Sequence, residues 1–198
     1  MPRRPAKSSK GSAKTAADRN TLRIIGGRWR GRKLDFPSLD GLRPTGDRIR
    51  ETLFNWLTAD IAGSRCLDLF AGSGALGLEA LSRGADRVTL IEKDRTAANY
   101  LRQHLSTLGA ETGTIVEADT LTWLLQQPEP QDIVFIDPPF HADLWPGVFG
   151  ALESGWLKSG SAIYVETPRD YAINPPGNWH LHREKHTGQV SFRLYFRD

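Results

Sequence analysis

Cysteine and long apolar runs are nearly absent from this sequence. Its single cysteine, Cys66, excludes an internal disulfide and a metal site built from several cysteines, and its apolar neighbours predict an inert thiol in the core. No stretch approaches the roughly 18 consecutive apolar residues that a membrane helix needs, and the N-terminus lacks the apolar block of a signal peptide. We therefore expect a soluble, cytoplasmic protein.

Acidic residues are scarce at the start of the chain. Residues 1–50 contain 14 Lys or Arg and four Asp, a net charge of +10, so the remaining residues carry −7 within the whole-chain value of +3. A basic segment on an acidic body favours a polyanionic partner, because each phosphate that Lys or Arg neutralises releases counterions. A merely solvated run of charge is the alternative. The arginines that we expect to bind such a partner are Arg28, Arg30, Arg32, Arg43 and Arg48.

Arg43, Thr45 and Arg48 allow a second interpretation. They precede the first strand of the predicted main domain, where they could instead reach a cofactor carboxylate. They could also belong to a helix cap with solvated arginines, since caps of this kind are common.

Three segments of different composition follow one another. Residues 1–20 mix Lys, Arg, Ser, Ala and Gly with almost no large apolar side chain, which predicts a disordered basic tail. Residues 21–60 predict a small basic extension of short strands joined by glycine turns, followed by an amphipathic helix from Asp47 to Leu57 that Asp47 could cap. Residues 61–198 predict the main domain, and a chain of 198 residues is long enough for one full core.

Apolar strand patterns alternate with helical patterns through the main domain. Such alternation predicts right-handed crossovers and an α/β fold with a doubly wound, mostly parallel sheet. The last part of the chain alternates apolar and polar residues around Gly188, as an antiparallel hairpin does. The predicted strands cover 65–70, 88–92, 114–117, 132–137 and 161–166, and the predicted helices cover 75–83, 95–108, 120–127 and 144–152.

A glycine-rich loop, Gly72 to Gly77, follows the first of these strands and opens a helix. Glycine lets backbone amides approach a ligand closely. Glu92 lies 20 residues past Gly72, at the end of the next strand, where its carboxylate can accept hydrogen bonds from ribose hydroxyls. Nicotinamide dinucleotides and S-adenosylmethionine both fit these features. Asp68 favours the second, because a carboxylate inside the strand can face the ammonium group of S-adenosylmethionine, and a nicotinamide cofactor has no such cation.

The segment Asp137-Pro138-Pro139-Phe140 follows the fourth predicted strand, at the edge where open sheets bind ligands. Two prolines make a rigid, extended turn that displays acceptors and an aromatic ring. An exocyclic base nitrogen delocalises its lone pair into the ring, so acceptors at Asp137 and the Pro138 carbonyl would favour a reactive, tetrahedral amine. Phe140 could stack on a base swung out of its surroundings. A purely structural strand stop is the alternative.

These motifs resemble those of known amino-methyltransferases. The pattern Asp68-Leu-Phe-Ala-Gly-Ser-Gly74, with Glu92 and Asp-Pro-Pro-Phe140, resembles class I enzymes of this type. The stretches 23–34, 42–45 and 47–57 are similar to the bacterial RsmD family of 16S rRNA guanine-N2 methyltransferases. The likeness runs from residue 22 to the end of the chain.

The resemblance implies a seven-stranded class I sheet and S-adenosyl-L-methionine as cofactor. It implies methyl transfer to N2 of one guanine in 16S rRNA within the small ribosomal subunit, and we expect the protein to act as a monomer. The target would be held by Asp137, Pro138 and Phe140, and Asp119 would lie near the cofactor's adenine amino group. The full cofactor set would be Asp68, Phe70, Ala71, Gly72, Gly74, Glu92 and Asp119.

Three other functions remain open at this point. An adenine-N6 methyltransferase would use the same Asp-Pro-Pro-Phe chemistry, although one acting on DNA usually carries a separate target-recognition domain. A nicotinamide-dependent oxidoreductase and a non-catalytic RNA-binding assembly factor could share the fold. We expect no metal, because His180, His182 and His186 have no fitting carboxylate cluster and methyl transfer from a sulfonium needs none.

Overall fold

The computed structural model of the chain describes residues 19–37 and 45–198. The predicted tail up to residue 18 and the predicted substrate contact Arg43 lie outside these ranges. The N-terminal strands are β1 (Arg19–Arg23) and β2 (Lys33–Pro37), which form an antiparallel hairpin. The main sheet consists of β3 (Arg65–Asp68), β4 (Arg87–Glu92), β5 (Gly113–Glu117), β6 (Gln131–Ile136), β7 (Leu157–Pro168), β8 (Trp179–Thr187) and β9 (Val190–Arg197).

Five helices connect and cover these strands in the described ranges. They are α1 (Asp47–Trp56), α2 (Gly77–Ser82), α3 (Arg95–Leu108), α4 (Thr120–Trp123) and α5 (Trp145–Leu152). The boundaries of α3 show how local sequence sets an element: Asp94 caps its start by accepting from the Ala97 amide at 2.8 Å. Gly109 ends it in the left-handed conformation that favours glycine.

The strand order of the main sheet is β5-β4-β3-β6-β7-β9-β8. The strands from β5 across to β7 pair in parallel, and β9 pairs antiparallel with both β7 and β8. The chain runs outward from β3 to β5 and then returns to place β6 on the other side of β3. This change of direction leaves a crevice at the carboxyl ends of β3 and β6, where doubly wound sheets bind ligands. We call this side of the sheet the carboxyl edge.

Buried apolar side chains cover both faces of the sheet. On one face, Leu22 and Phe36 of the hairpin share a core with α1, α2 and α3. On the other face, Trp145 and Phe149 of α5 pack with Val165 of β7. The N-terminal hairpin is therefore part of the same packed core as the sheet.

A positive backbone angle makes one hairpin glycine necessary. Gly27 has φ +70°, and a Cβ there would lie 1.8 Å from the Ser82 carbonyl oxygen at the end of α2. The Ser82 hydroxyl also donates to the Gly26 carbonyl at 2.6 Å and accepts from the Trp29 amide at 3.1 Å. The turn of the hairpin is thus fixed against α2 at close range.

The predicted α/β fold, the parallel strand order and the C-terminal antiparallel hairpin are confirmed. Several local predictions differ. Strand β7 is longer than the predicted 161–166, and β3 ends at Asp68 instead of residue 70. Helix α4 ends at Trp123 instead of residue 127, because the amides of Leu125 and Gln126 bond only three residues back. The capping role predicted for Asp47 is wrong: Gly46 is the N-cap, and Asp47 in the first turn accepts from Arg50. Strand β1 begins at Arg19, two residues before the predicted extension.

Candidate active site

The loop after β3 forms the base of the crevice. Asp68, the last residue of β3, is 2% exposed, and its Oδ2 accepts from the Gly77 amide at 3.0 Å where α2 begins. Gly74 in this loop has φ +83°, and an added Cβ would lie 2.6 Å from Leu101 of α3. Glycine is therefore required there by both the backbone conformation and the close packing. The loop therefore packs closely against α3 at Gly74 and keeps the buried Asp68 carboxylate bonded to the start of α2.

Glu92 at the end of β4 closes one side of this loop. Its Oε2 accepts from the Gly72 amide at 2.8 Å, and its Oε1 accepts from the Asp94 amide at 2.7 Å. Each carboxylate oxygen has a second lone pair, so both oxygens can still accept ligand hydroxyl groups. The structure thus gives Glu92 a second role that the sequence did not show, which is to fix the glycine loop in place.

The remaining predicted cofactor residues lie at the same edge. Ala71 is buried and its amide donates to the Ile91 carbonyl at 2.9 Å, which attaches the loop to β4 next to the half-buried Phe70. Asp119 follows β5, is exposed, and caps α4 by accepting from the Thr122 amide at 3.1 Å through Oδ1. The cofactor residues predicted from separate motifs are therefore brought together at the carboxyl ends of β3, β4 and β5.

The Asp-Pro-Pro-Phe segment continues β6 on the other side of β3. Asp137 is partly buried, and its Oδ2 accepts from the Thr45 hydroxyl at 3.1 Å. Pro138 is buried, whereas Phe140 is 37% exposed at the start of a short 3-10 turn. The Phe140 ring lies 6.0 Å from the ring of buried Trp145, which supports it from behind. A carboxylate and an accessible aromatic face thus stand next to the glycine loop.

A second acid beside Asp137 was not predicted from the sequence. Glu166 in β7 is 3% exposed, and its Oε1 accepts from the hydroxyl group of buried Tyr164 at 2.7 Å. The Thr45 hydroxyl that donates to Asp137 also lies near Glu166. A signal was present, since Glu166 directly follows the apolar residues 162–165 of its strand. Its proximity to Thr45 depends on the fold, because 121 residues separate the two.

The site carries excess negative charge. Burial is the main cause that raises the pKa of Asp68 to about 7, with a smaller contribution from the charge of Asp137. Burial likewise raises the pKa of Asp137 to about 6, against the opposing effect of the Thr45 hydrogen bond. Burial first, and the charge of Asp137 second, raise the pKa of Glu166 well above its usual value. Clustered carboxylates of this kind favour a cationic ligand or hydrogen-bond donors in the crevice.

The predicted substrate arginines occupy two different places. Arg48 is exposed in the first turn of α1, three residues after Thr45, and so lies on the site's own side of the molecule. Arg28, Arg30 and Arg32 are exposed around the turn of the hairpin. The Arg28 guanidinium lies 4.1 Å from the Trp29 ring centroid and donates to the Gly109 carbonyl, at the end of α3, at 3.4 Å.

The three hairpin arginines are therefore separated from the carboxyl edge. Helices α2 and α3 run back from that edge, since each follows a parallel strand. The hairpin turn packs beside Ser82, the last residue of α2, and Gly109, the C-cap of α3. The structure does not bring these arginines next to Asp137. They form a distinct basic surface at the opposite end of the helices.

One buried ion pair connects the hairpin, α1 and α2. Arg50 of α1 donates to the Arg23 carbonyl at 2.9 Å and, through Nε, to the Thr45 carbonyl at 3.2 Å. Its Nη1 also donates to Glu79 of α2, whose Oε2 accepts from the Ile25 amide at 2.9 Å. These contacts fix the backbone of Thr45, the residue that holds Asp137. No sequence motif indicated a role for either charged side chain.

The described ranges contain neither a membrane-spanning helix nor a cluster of metal ligands. None of the helices there combines the length and apolar character needed to cross a membrane. The same residues contain no group of three or more His, Cys, Asp or Glu side chains placed to hold a metal ion.

Comparisons with known proteins agree with this geometry. A family model described as "Conserved hypothetical protein 95" matches residues 22–196. The chain is 52% identical over 179 residues to ribosomal RNA small subunit methyltransferase D of Escherichia coli (strain K12), covering 89% of this chain and 90% of that protein. A solved structure described as a putative methyltransferase, yhhF, from Escherichia coli is 51% identical, with a TM-score of 0.84 over 90% of this chain and 99% of the other.

A more distant structure shows how far the fold extends. The Thermus thermophilus 16S rRNA N2 G1207 methyltransferase RsmC, solved with AdoMet and guanosine, matches with a TM-score of 0.68 and 18% identity, over 91% of this chain and half of that one. At this identity the likeness shows a common class I methyltransferase fold. Together with the family model and the extensive identity above, it leads to one assignment: the chain belongs to the RsmD family of ribosomal RNA small subunit methyltransferases.

Proposed function

We propose that this protein transfers a methyl group from S-adenosylmethionine to N2 of a guanine in 16S rRNA, on an assembled or nearly assembled small ribosomal subunit, as a cytoplasmic monomer. One observation carries the proposal. The Asp137 carboxylate and the accessible Phe140 ring follow β6, and the Asp68–Gly74 loop follows the neighbouring β3, so both lie at the crevice of the carboxyl edge. S-adenosylmethionine supplies an electrophilic methyl group on its sulfonium centre.

The cofactor residues suit the charges and hydroxyl groups of this donor. Asp68 is a buried carboxylate with no cation paired to it in the described residues, and the ammonium group of an amino acid would provide one. Glu92 is held by two backbone amides with its outer lone pairs free, which suits the two hydroxyl groups of a ribose. Asp119 uses Oδ1 for its helix cap and has Oδ2 to accept from an exocyclic amine.

The target residues suit a weakly nucleophilic amine. Thr45 occupies Oδ2 of Asp137, so Oδ1 and the Pro138 carbonyl are the acceptors left for the two hydrogens of the target nitrogen. Accepting both hydrogens favours a tetrahedral nitrogen whose lone pair can attack. Phe140 offers a stacking surface to the flipped base, a contact worth about 1 to 3 kcal/mol.

Guanine fits this acidic pocket better than adenine. The edge of guanine carries the N1 hydrogen beside the N2 amine, so adjacent donors face the carboxylates. Adenine presents the N1 lone pair beside its N6 amine, and a lone pair facing Asp137 would be repelled. A methyltransferase described as acting on N2 of a 16S rRNA guanine shares the fold, which supports the same choice here.

The two basic surfaces suit a large, folded substrate. Arg48 lies near the catalytic segment, and the hairpin arginines lie at the far end of α2 and α3. A short single strand would reach one of these surfaces, whereas an RNA helix or an assembled subunit presents phosphates to both. The geometry therefore supports structured rRNA as the substrate.

The direct test is transfer of labelled methyl groups from S-adenosylmethionine to unmodified small subunits, naked 16S rRNA and duplex DNA, followed by nucleoside mass spectrometry. We expect N2-methylguanosine from the subunits and little from the other two. N6-methyladenosine in any sample would show that the methylated base is adenine and not guanine. No transfer to any substrate would favour an assembly factor that has lost catalysis.

A further inference from the structure

A short loop with an unusual backbone connects the Phe140 ring to helix α5. The chain makes a 3-10 turn at Phe140–Ala142, passes through Asp143, and enters α5 at Trp145. We call residues 140–145 the platform loop. Asp143 has φ +43° and ψ +50°, and in the described ranges no other residue except glycine has a positive φ. Aspartate adopts this left-handed conformation only at a cost in energy, so contacts from outside the loop have to favour it.

Tyr171 provides such a contact. It lies in the segment between β7 and β8, and its hydroxyl group donates to Asp143 Oδ1 at 2.5 Å. This hydrogen bond is the main cause that raises the pKa of Tyr171 to about 12, so the hydroxyl group keeps its hydrogen and remains a donor. The Tyr171 amide donates to the carbonyl of Pro168, the last residue of β7, at 3.1 Å. Asp143 is therefore attached to the end of a central strand.

The Tyr171 ring also supports the other end of the platform loop. Its centroid lies 4.4 Å from that of Trp145, and the Trp145 ring lies 6.0 Å from that of Phe140. Trp145 is 1% exposed, and its Nε1 donates to the backbone carbonyl of Glu166 at 2.8 Å, which fixes the indole in place. Tyr171 thus contacts both the turn that follows Phe140 and the ring that packs behind it.

We propose that Tyr171 is a positioning residue for the target base: by donating to Asp143 and packing on Trp145, it holds the Phe140 ring in the orientation on which a flipped guanine stacks. A fixed ring favours stacking, because a loop with several conformations would have to be ordered each time the base arrives. The inference rests on the proposed function, since it concerns the base that this function assigns to Phe140.

Tyr171→Phe removes the hydrogen bond and keeps the ring. We expect the single-turnover rate on unmodified small subunits to fall about three- to tenfold, because fewer bound complexes have the base in place. Affinity for the subunit should stay within about twofold of wild type, since phosphate contacts dominate it. Cofactor affinity should be normal, because Tyr171 does not contact the glycine loop. An unchanged rate in Tyr171→Phe would overturn the proposal.

Tyr100→Phe is the matched control. Tyr100 is half-buried like Tyr171, but it lies on α3, which covers the opposite face of the sheet from α5. Its loss of a hydroxyl group should leave the rate at the wild-type value. A fall equal to that of Tyr171→Phe would mean that the rate responds to the loss of any tyrosine hydroxyl and would contradict the proposal.

Substitutions of Asp143 separate the hydrogen bond from the backbone conformation. Asp143→Asn keeps an acceptor oxygen and a residue that tolerates positive φ, so we expect a rate within about twofold of wild type. Asp143→Gly also suits the backbone but removes the acceptor, and it should reproduce the loss in Tyr171→Phe. The double variant of Asp143→Gly and Tyr171→Phe should lose no more, since both remove one hydrogen bond. A normal rate for Asp143→Gly would show that the hydrogen bond is not needed.

A role through Phe140 can be told apart from a general structural role. Phe140→Ala removes the stacking ring, so in that background Tyr171→Phe should change the rate by less than about twofold. If Tyr171 only stabilised the protein, its substitution would lower the rate by the same factor with and without Phe140. An equal factor in both backgrounds would therefore refute the positioning role.

Amide hydrogen exchange tests the platform loop without any activity. The Ala142 amide donates to the Pro139 carbonyl at 3.0 Å, and it should exchange about three- to tenfold faster in Tyr171→Phe. The Gly77 amide, which donates to Asp68, should exchange at the wild-type rate. If wild-type protein transfers no methyl group but the Ala142 amide responds, the proposed function fails and the fixing of the loop by Tyr171 stands. If wild-type protein transfers methyl groups but neither the rate nor the exchange responds to Tyr171→Phe, the Tyr171 inference fails alone.

Discussion

Arg50 Nη1 lies 3.4 Å from Glu79 Oε2, and the two side chains are 1% and 0% exposed. Few ion pairs are so completely removed from water, and this one joins the N-terminal segment to the helix that follows the glycine loop. Glu79 also accepts from Arg83 at 2.7 Å and from the Ile25 amide. One carboxylate therefore connects three separate parts of the chain near the candidate active site.

We predict that Glu79→Ala destabilises the protein by about 3 to 5 kcal/mol, because it leaves the buried Arg50 charge with only the exposed Asp47 carboxylate as a partner. The free energy of unfolding from urea denaturation measures this. Glu129→Ala is the control, since Glu129 pairs with Arg65 in an exposed position, and its loss should change the free energy by less than about 1 kcal/mol. Similar changes in the free energy of unfolding for both substitutions would mean that the buried pair stabilises the protein no more than the exposed one.

Asp137→Ala should lower the single-turnover rate about ten- to a hundredfold, because it removes a charged acceptor from the target amine. Asn keeps one acceptor oxygen and should retain more activity than Ala. Single-turnover transfer to unmodified subunits at saturating cofactor measures the rate, and calorimetry should show normal cofactor affinity. Asp132→Asn, near the opposite end of β6, is the control and should behave like wild type. A near-normal rate for Asp137→Ala would exclude the mechanism, and a large loss of cofactor affinity would place Asp137 in the cofactor pocket.

Glu92→Ala should weaken cofactor binding about ten- to a hundredfold and raise KM for the cofactor, with a smaller effect on kcat. The reason is that ribose contacts are equally strong in the ground state and the transition state. Glu117, the register partner of Glu92 in β5, pairs with Arg102 and provides the control. Glu117→Ala should leave the affinity unchanged. Unchanged affinity in Glu92→Ala as well would remove Glu92 from the cofactor site.

Cofactor affinity should depend on pH through Asp68. Burial raises the pKa of this carboxyl group to about 7 in the free protein, and a bound ammonium group would lower it. Binding therefore releases a proton, and affinity should rise by up to about tenfold per pH unit towards pH 7. Above about pH 8 it should fall again, as the amino group of the cofactor loses its charge. Calorimetry across this range provides the measurement, and Asp68→Asn should abolish the acid-side dependence. A rise that persists in Asp68→Asn would assign it to another group.

Replacing Arg28, Arg30 and Arg32 together by Ala should weaken RNA binding and reduce the log-log slope of affinity against salt by about 0.7 to 0.9 for each phosphate that is no longer neutralised. Cofactor affinity should stay the same, because these residues lie at the far ends of α2 and α3. A control triple with the same change in charge lies near the β8 edge of the main sheet. It consists of the exposed residues Arg169, Arg183 and Lys185. If both triples reduce the slope equally, RNA binding follows net charge and not this surface.

The parts of the site that lie close together in sequence could be predicted. Asp68 and Gly74 belong to one strand and its loop, and Asp137 and Phe140 belong to another. Local sequence patterns were therefore enough to predict the position of each pair at the end of its strand. Their meeting at one edge followed from the alternation of strands and helices, since parallel strands end on the same side. Short-range rules therefore accounted for most of the fold.

The interactions at the site that the sequence did not reveal mostly join distant segments. Thr45 donates to Asp137 across 92 residues, and Arg50 donates to Glu79 between separate helices. No periodicity encodes such pairs, because each depends on how the N-terminal segment packs against the sheet. The distance of the hairpin arginines from Asp137 was hidden for the same reason: the charge pattern showed that they cluster but not at which end of the helices.

The shared core of the hairpin also constrains the order in which the chain can fold during synthesis. The apolar face that includes Leu22 and Phe36 leaves the ribosome first, but its packing partners in α2 and α3 are complete only once residue 108 has been made. At about 5 to 20 residues per second this interval lasts several seconds. A two-stranded hairpin is marginal by itself, so the first strands to be made should be among the last to become stable.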